Sequence, residues 1–162
     1  MLAAVPVPAS WRVTLMLPPG RRMFGGNERE VFHQAPVPES EVLQVLAAVY
    51  HGLVAAVATD DLDAAARALA LIMSTGFKRL ELANQSDAVR GLAQDLVDAT
   101  GRPVGMSSMG PLLYILHRAN DGTAEATARY ASKWRACVLC TAKPARDGHV
   151  LDFPGGDGPA DQ

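Results

Sequence analysis

Gly105-Met106-Ser107-Ser108-Met109-Gly110-Pro111-Leu112-Leu113-Tyr114 is the most informative stretch of this chain. Its two glycines and two serines lie between strand-like runs. Glycine allows positive φ and a close approach of ligand to backbone. Serine hydroxyls and free loop N–H groups can hydrogen-bond phosphate oxygens. The stretch therefore predicts either a phosphate-binding loop or an ordinary hairpin turn, and composition alone favours the turn.

The segments that precede this stretch predict one strand and three helices. Residues 11–17 are strand-like and end at Pro18-Pro19-Gly20, and a long irregular segment follows to residue 38. Apolar residues then recur at helical spacing. The first helix begins at Pro38, Asp60 caps the second, and Ser86 caps the third.

The periodicity changes after Gly101, which we expect to end the third helix. Extended segments over 103–108, 112–116 and 135–141 predict strands, and Thr123 is expected to cap a helix between the last two. Strands at both ends favour an α+β domain, with helices packed on one face of an antiparallel sheet of about four strands. We predict this domain over residues 1–153, with a last hairpin at Asp147-Gly148 and a disordered tail over 154–162.

Composition excludes several classes of protein. The chain has 162 residues, 49% of them hydrophobic and 20% charged, which suits a globular domain with one core. The net charge of −2 and the lack of a dense Lys/Arg stripe exclude nucleic acid as a partner. We find no segment approaching the ~20 apolar residues needed to span a membrane. Because the two cysteines cannot form a disulfide framework, we expect a cytoplasmic protein.

Cys137 and Cys140 have the C-x-x-C spacing of redox and zinc sites. They lie in a predicted strand, where an odd separation points two side chains to opposite faces. No second pair completes a zinc site, and the four histidines are scattered without metal-ligand spacing. We therefore expect the cysteines to be small core residues and predict no metal site from the protein's own ligands.

Three segments together carry a resemblance to a known family. The stretch at 105–114 resembles the third conserved motif of the β-ribofuranosylaminobenzene 5'-phosphate synthases, a branch of the GHMP kinase superfamily. The segment from Leu17 through Gly25-Gly26-Asn27-Glu28 to Phe32 resembles the family's strand-to-loop segment. Gly76-Phe77-Lys78, with Glu81 and Gln85, resembles its mid-domain helical segment. The three occur in the family's order and cover roughly residues 11–141.

The resemblance implies a GHMP-type C-terminal domain. The superfamily's main phosphate loop, Pro-x-x-x-Gly-Leu-Gly-Ser-Ser, is absent and belongs to an N-terminal domain. We therefore expect that domain, or self-association, to complete the protein. The family condenses 4-aminobenzoate with phosphoribosyl pyrophosphate in methanopterin biosynthesis, and it releases carbon dioxide and pyrophosphate. A divalent cation such as Mg²⁺ would help to stabilise the pyrophosphate.

The candidate site residues follow from the same resemblance. Glu28, Lys78 and Glu81 are the catalytic candidates. The candidates for binding phosphate and substrate are Arg21, Arg22, Gly26, Gln85, Gly105, Ser107, Ser108, Gly110 and Tyr114.

Each candidate side chain also has an ordinary structural interpretation. Arg21 and Arg22 could form a solvated loop, and Lys78 could complement a helix dipole. Glu28 could pair with an arginine, a carboxylate such as Glu81 is most often on the surface, and Gln85 could cap a helix locally. Tyr114 lies in an apolar run and suits core packing.

Two other functions stay open from the sequence. The first is a small-molecule kinase of the same superfamily, although Ser107-Ser108 and Gly110-Pro111 fit the synthase branch better. The second is a non-catalytic binding or dimerisation module.

Overall fold

The computed structural model describes residues 5–22, 29, 30, 33, 36–108 and 110–144. The strands are β1 (Trp11–Leu17), β2 (Val104–Met106), β3 (Leu113–Arg118) and β4 (Cys137–Ala142). They form one antiparallel sheet in the order β2-β3-β1-β4. This confirms the predicted α+β class and the four-stranded sheet. The predicted hairpin at 147–151 and the tail from 154 lie outside the described residues.

Over the described residues 36–103, which lead to β2, the chain forms one helix more than the sequence predicts. A long helix, Glu39–Ala58, runs as α1 (Glu39–Ala47), a π-helix (Ala48–Val54) and α2 (Ala55–Ala58). The helices that follow are α3 (Leu62–Ser74), α4 (Gly76–Ala83), α5 (Asp87–Thr100) and α6 (Thr123–Lys133). The extra helix is α4, because α3 ends at Ser74, Thr75 is extended, and Gly76, with a positive φ of 59°, begins a new helix.

The main core lies between the sheet and α5. Met16 of β1 and Leu113 and Ile115 of β3 point to one face, and each is fully buried there. Val89, Leu92 and Leu96 of α5 pack against that face. Each such side chain contributes about 1.5–3 kcal/mol when it is fully buried. The predicted cap Ser86 is confirmed because its hydroxyl accepts from Val89 N, and Gly101 ends the helix with φ 66°.

A second core cluster lies at the Trp11 end of the sheet. Trp11 points to the face opposite Met16 and packs against Ala56, Leu62 and Ala65. Its indole N–H donates to Asp60 at 2.7 Å. Asp60 is therefore not the cap of α3, as the sequence predicted. Its neighbour Asp61 caps that helix by accepting from Ala64 N at 2.8 Å.

The predicted cap of α6 is also displaced by one residue. Gly122 holds the cap position with φ 81°, and Thr123 is the first helical residue. Asp121 accepts from Thr123 N at 3.0 Å and so binds one of the free amides of the first turn.

The apolar stripe of the long helix faces solvent. Leu43, Leu46 and Tyr50 are 57%, 46% and 47% exposed, whereas the buried residues of this helix are alanines. Contrary to the sequence expectation, its length and its mean hydropathy of 1.6 would suffice to cross a membrane. Small residues allow a close approach to α3, where a Cβ on Gly52 would lie 2.8 Å from that of Ala68.

The prediction for the two cysteines is wrong in both respects. A β-bulge opposite Leu15 and Met16 adds a residue to β4, so Cys137 pairs with Leu17 and Cys140 pairs with Leu15. Because a bulge shifts the alternation by one residue, both thiols point to the same face of the sheet. Both are exposed, since β4 is an edge strand and not part of the core.

Gly91 of α5 provides a test of this packing. The Trp134 indole lies directly over Gly91, where an added Cβ would overlap its ring. The same indole donates to Asp95 at 2.6 Å. We expect Gly91→Ala to lower the free energy of unfolding by about 1–3 kcal/mol, because the ring must move. Urea denaturation measures this, with Gln94→Ala on the exposed side of α5 as the control. Equal losses in both variants would contradict this packing.

Candidate functional site

The three segments that carry the family resemblance meet around the side chain of Gln85. Gln85 is 3% exposed and lies between α4 and α5. Its Oε1 accepts from Arg21 N at 3.2 Å, and its Nε2 donates to Arg21 O at 3.1 Å. Next to it, Ser86 Oγ donates to Pro19 O at 2.6 Å. The loop after β1 is therefore held to the helices by its backbone.

Two glycines let the other segments come close to Gln85. A Cβ on Gly20 would overlap Pro111 and lie 2.8 Å from Val89 Cγ2. Gly110 has φ 79°, and its Cβ would lie 2.8 Å from Gln85 Nε2. Gly110 therefore has both a conformational and a steric requirement for glycine. The sequence identified Gly110 but not Gly20, whose close neighbours come from distant parts of the chain.

Lys78 connects α4 to the loop between β2 and β3 that carries Ser107 and Ser108, called the serine loop below. Its Nζ donates to Glu81 Oε2 at 2.6 Å and to Ser108 O at 2.5 Å. Lys78 lies in the first turn of α4, which is the wrong end for a cation to complement the helix dipole. Glu81 is 6% exposed, so it is not the surface carboxylate that the sequence favoured.

The serine loop forms a hydrogen-bonded turn and also exposes polar side chains to solvent. Gly110 N donates to Ser107 O, and Ser107 N donates to Leu112 O, both at 2.9 Å. The peptide bond between Gly110 and Pro111 is cis. Ser107 and Ser108 are exposed. The hairpin and the phosphate-loop interpretations of this segment are therefore compatible.

The remaining candidates are distributed as follows. Arg21 and Arg22 are exposed, and the backbone of Arg21 is bound to Gln85. The Gln85 cluster below means the residues described above around Gln85, together with Lys78, Glu81 and the serine loop. Gly105 and Tyr114 face each other across β2 and β3, with the Tyr114 ring over Gly105. Burial raises the pKa of the Tyr114 phenol, and this arrangement suits packing. Gly26 and Glu28 lie outside the described residues.

No metal cage is present in the part of the chain that the structure describes. No group of three His, Cys, Asp or Glu side chains converges there. In the Gln85 cluster the described carboxylate is Glu81, which is engaged by Lys78. Mg²⁺ usually needs one or two carboxylates together with substrate phosphates. The described residues alone therefore do not fit a resident magnesium ion.

A larger cleft in the described part of the domain lies away from Gln85. It has a volume of about 580 Å³ and runs between the long helix and α3, where alanines make up half of its lining residues. None of the residues around Gln85 lines it. The segments that meet at Gln85, unlike this cleft, carry the exposed residues Arg21, Arg22, Ser107 and Ser108.

The fold is that of the GHMP kinases. A homoserine kinase from Cytophaga hutchinsonii superposes with a TM-score of 0.63 at 16% identity, over 86% of this chain and 42% of that one. The phosphomevalonate kinase of Streptococcus pneumoniae gives 0.61 at 9% identity, over 87% and 42%. At these identities the likeness concerns the fold alone. No protein-family model matches the chain.

Sequence comparison identifies one kind of enzyme among the relatives of this chain. The chain is 31% identical over 155 residues to the β-ribofuranosylphenol 5'-phosphate synthase of Archaeoglobus fulgidus. It is 32% identical over 121 residues to the enzyme of that name from Methanocaldococcus jannaschii. Over 94% of its length the chain is therefore similar to a synthase of the family that its three segments indicated. It spans 48% and 36% of the length of these two relatives.

Gln85 provides a test of the site's geometry. We expect Gln85→Leu to lower the free energy of unfolding by about 1–3 kcal/mol, because the Arg21 N–H and C=O lose their partners. Amide hydrogen exchange near Arg21 should accelerate at the same time. Asn84→Leu changes the neighbouring exposed amide and is the control. Unchanged exchange at Arg21 would show that Gln85 does not hold the loop.

Glu41 provides a test based on pH. It accepts from Gly76 N at 2.7 Å and pairs with Arg79, and both contacts lower the pKa of its carboxyl below the ordinary 4.5. A carboxyl whose pKa is lower in the folded than in the unfolded chain stabilises the fold at pH values above its unfolded pKa. This stabilisation is lost as the pH falls through its folded pKa. We expect Glu41→Gln to be less stable than the parent chain at pH 7, and we expect this difference to shrink as the pH falls to 3.

Urea midpoints at the two pH values measure this difference. Glu39→Gln, at an exposed position of the same helical turn, is the matched control. A stability difference that stays the same at pH 3 would show that the charge of Glu41 is not its source.

Proposed function

We propose that this chain is the C-terminal portion of a synthase that forms a C-riboside 5'-phosphate from a benzoate and phosphoribosyl pyrophosphate. The observation that carries the proposal is the convergence of the three family segments on Gln85. It places exposed Arg21, Ser107 and Ser108 at one end of the sheet. The family's pathway is the biosynthesis of methanopterin.

The aromatic acceptor is the point on which the relatives and the sequence expectation differ. The relatives are named for a phenol product, whereas the resemblance implied 4-aminobenzoate. The two acceptors differ in the group para to the carboxylate, which is a hydroxyl or an amine. We propose a para-substituted benzoate as the substrate class, and direct competition between the two acids decides between them.

The reaction balances as one substitution followed by one fragmentation. The ring carbon that bears the carboxylate bonds to ribose C1, and the C1–O bond to pyrophosphate breaks. The carboxylate then leaves as carbon dioxide, and its bonding electrons return to the ring. The protein must stabilise the departing pyrophosphate and the cationic sugar, and fixed donors serve this purpose at little reorganisation cost.

We propose that the pyrophosphate group of the substrate binds to the exposed hydrogen-bond donors of the site. The guanidinium groups of Arg21 and Arg22 suit phosphate oxygens, and the hydroxyls of Ser107 and Ser108 suit them as well. The ion pair between Lys78 and Glu81 lies beside these serines through Ser108 O. In this proposal Mg²⁺ arrives bound to the pyrophosphate of the substrate and is not held by ligands of this chain.

A second domain is part of the proposal. The chain spans about half the length of the first relative, so a GHMP-type N-terminal domain would supply the main phosphate loop. The exposed side chains of the long helix offer an apolar surface for such a domain or for a second copy. Because the relatives share the fold of soluble enzymes, we place the protein in the cytoplasm.

The activity test follows pyrophosphate release and riboside formation. We expect product from 4-hydroxybenzoate or 4-aminobenzoate with phosphoribosyl pyrophosphate and magnesium when the chain is supplied with an N-terminal domain. Ser107→Ala and Ser108→Ala should each lower kcat/KM by about tenfold, because each removes a donor to phosphate. Ser132→Ala, at an exposed position of α6, is the matched control.

Two results would count against this function. The first is no riboside from a folded and associated pair of domains. The second is phosphate transfer from ATP by that pair, which would favour a kinase of the same fold. Self-association without either activity would favour a binding module, and light scattering coupled to gel filtration would detect it.

A further inference from the structure

A small apolar cavity adjoins the candidate site at Lys78. It has a volume of about 150 Å³ and lies between the long helix and the start of α4. Val42, Val45, Leu46 and Phe77 supply most of its wall. Val42, Leu46 and Phe77 are each at least 40% exposed, so the cavity opens to solvent on that side.

The size and lining of this cavity suit one aromatic ring. An apolar cavity of about 150 Å³ in a protein interior stays dry and binds benzene. Aliphatic and aromatic walls give such a ring its hydrophobic contacts, and the one open side leaves a path for entry. A phosphate or a ribose would lose its hydrogen bonds to water there, which makes this a poor seat for either.

Thr75 and Lys78 also line the cavity, although almost all of the surface that the cavity exposes is apolar. Thr75 is 7% exposed, lines the cavity and precedes α4. Its hydroxyl does not cap that helix, because Glu41 accepts the Gly76 N–H instead. Lys78 lines the cavity three residues further on. Its ammonium has three N–H groups, of which Glu81 and Ser108 O take two.

We propose that this cavity is the seat of the benzoate ring of the acceptor, with the ring against the apolar wall and its carboxylate directed out of the cavity, towards the Lys78 ammonium and Ser108. The inference rests on the proposed function and names the residues that would select its aromatic substrate. The carboxylate end must face the ribose, and Lys78 is the cavity residue that contacts the serine loop. Because Glu81 partly neutralises Lys78, burial of the ring supplies most of the affinity.

The test measures binding without phosphoribosyl pyrophosphate, so that it is independent of turnover. Phenol, benzoate and 4-hydroxybenzoate are titrated into the protein by calorimetry, and NMR shifts report the residues contacted. We expect phenol to bind at Phe77 and Thr75. Val42→Phe fills the cavity and should abolish binding of phenol. Leu43→Phe makes a similar change at the next position, which does not line the cavity, and should leave phenol binding unchanged.

One further variant tests the carboxylate end. Lys78→Met should weaken benzoate about tenfold and leave phenol unchanged.

Several outcomes would overturn the seat. These are no phenol binding by the parent protein, equal phenol affinity in Val42→Phe and Leu43→Phe, or a loss of phenol affinity in Lys78→Met as large as that of benzoate. Riboside formation that survives Val42→Phe unchanged would overturn the seat and leave the synthase proposal intact. Specific binding of 4-hydroxybenzoate without any turnover by the completed protein would overturn the proposed synthase function. The cavity would then still be a binding site for the ring.

Discussion

The site depends on the two hydrogen bonds between the Gln85 side chain and the backbone of Arg21. The amide is buried, and an unsatisfied amide there would cost about 1–3 kcal/mol. Because both bonds go to one residue, they fix the position and the direction of the loop after β1. Gly20 and Gly110 are required for the same reason, since a side chain at either position would displace the amide or its neighbours.

Lys78 connects the residues around Gln85 to the groups proposed to bind the substrates. Its ammonium contacts Glu81 and Ser108 O, and the residue also lines the apolar cavity. In the proposed reaction the charged leaving group and the apolar ring must lie on opposite sides of the ribose. The two environments of this edge of the domain, one polar and one apolar, correspond to those two demands.

Much of the fold could be predicted, because strand and helix periodicities are local properties. The boundaries of β1 and the capping of α5 by Ser86 follow from neighbouring residues. The failures concern tertiary contacts. Asp60 lost its capping role to Asp61 because Trp11, 49 residues away, takes its carboxylate. The bulge in β4 depends on its pairing with β1, and this pairing brought Cys137 and Cys140 to one face.

The candidate site was predictable in its members but not in its geometry. The resemblance identified Lys78, Gln85 and Ser108, and the structure shows the contacts that join the segments around them. Gly20 and Ser86 were missed as site residues, since their partners Pro111 and Pro19 become neighbours only after folding. Gly26 and Glu28 remain sequence predictions.

The π-helix in the middle of the long helix has a consequence for chain length. Its i→i+5 hydrogen bonds accommodate one residue more per turn than an α-helix does. One residue could therefore be deleted between Ala48 and Val54, and the helix would resume as α with Ala56 still directed at Trp11. The same deletion within α3 would rotate every later side chain by about 100°. Homologous chains can thus differ in length by one residue at this point and keep the same core.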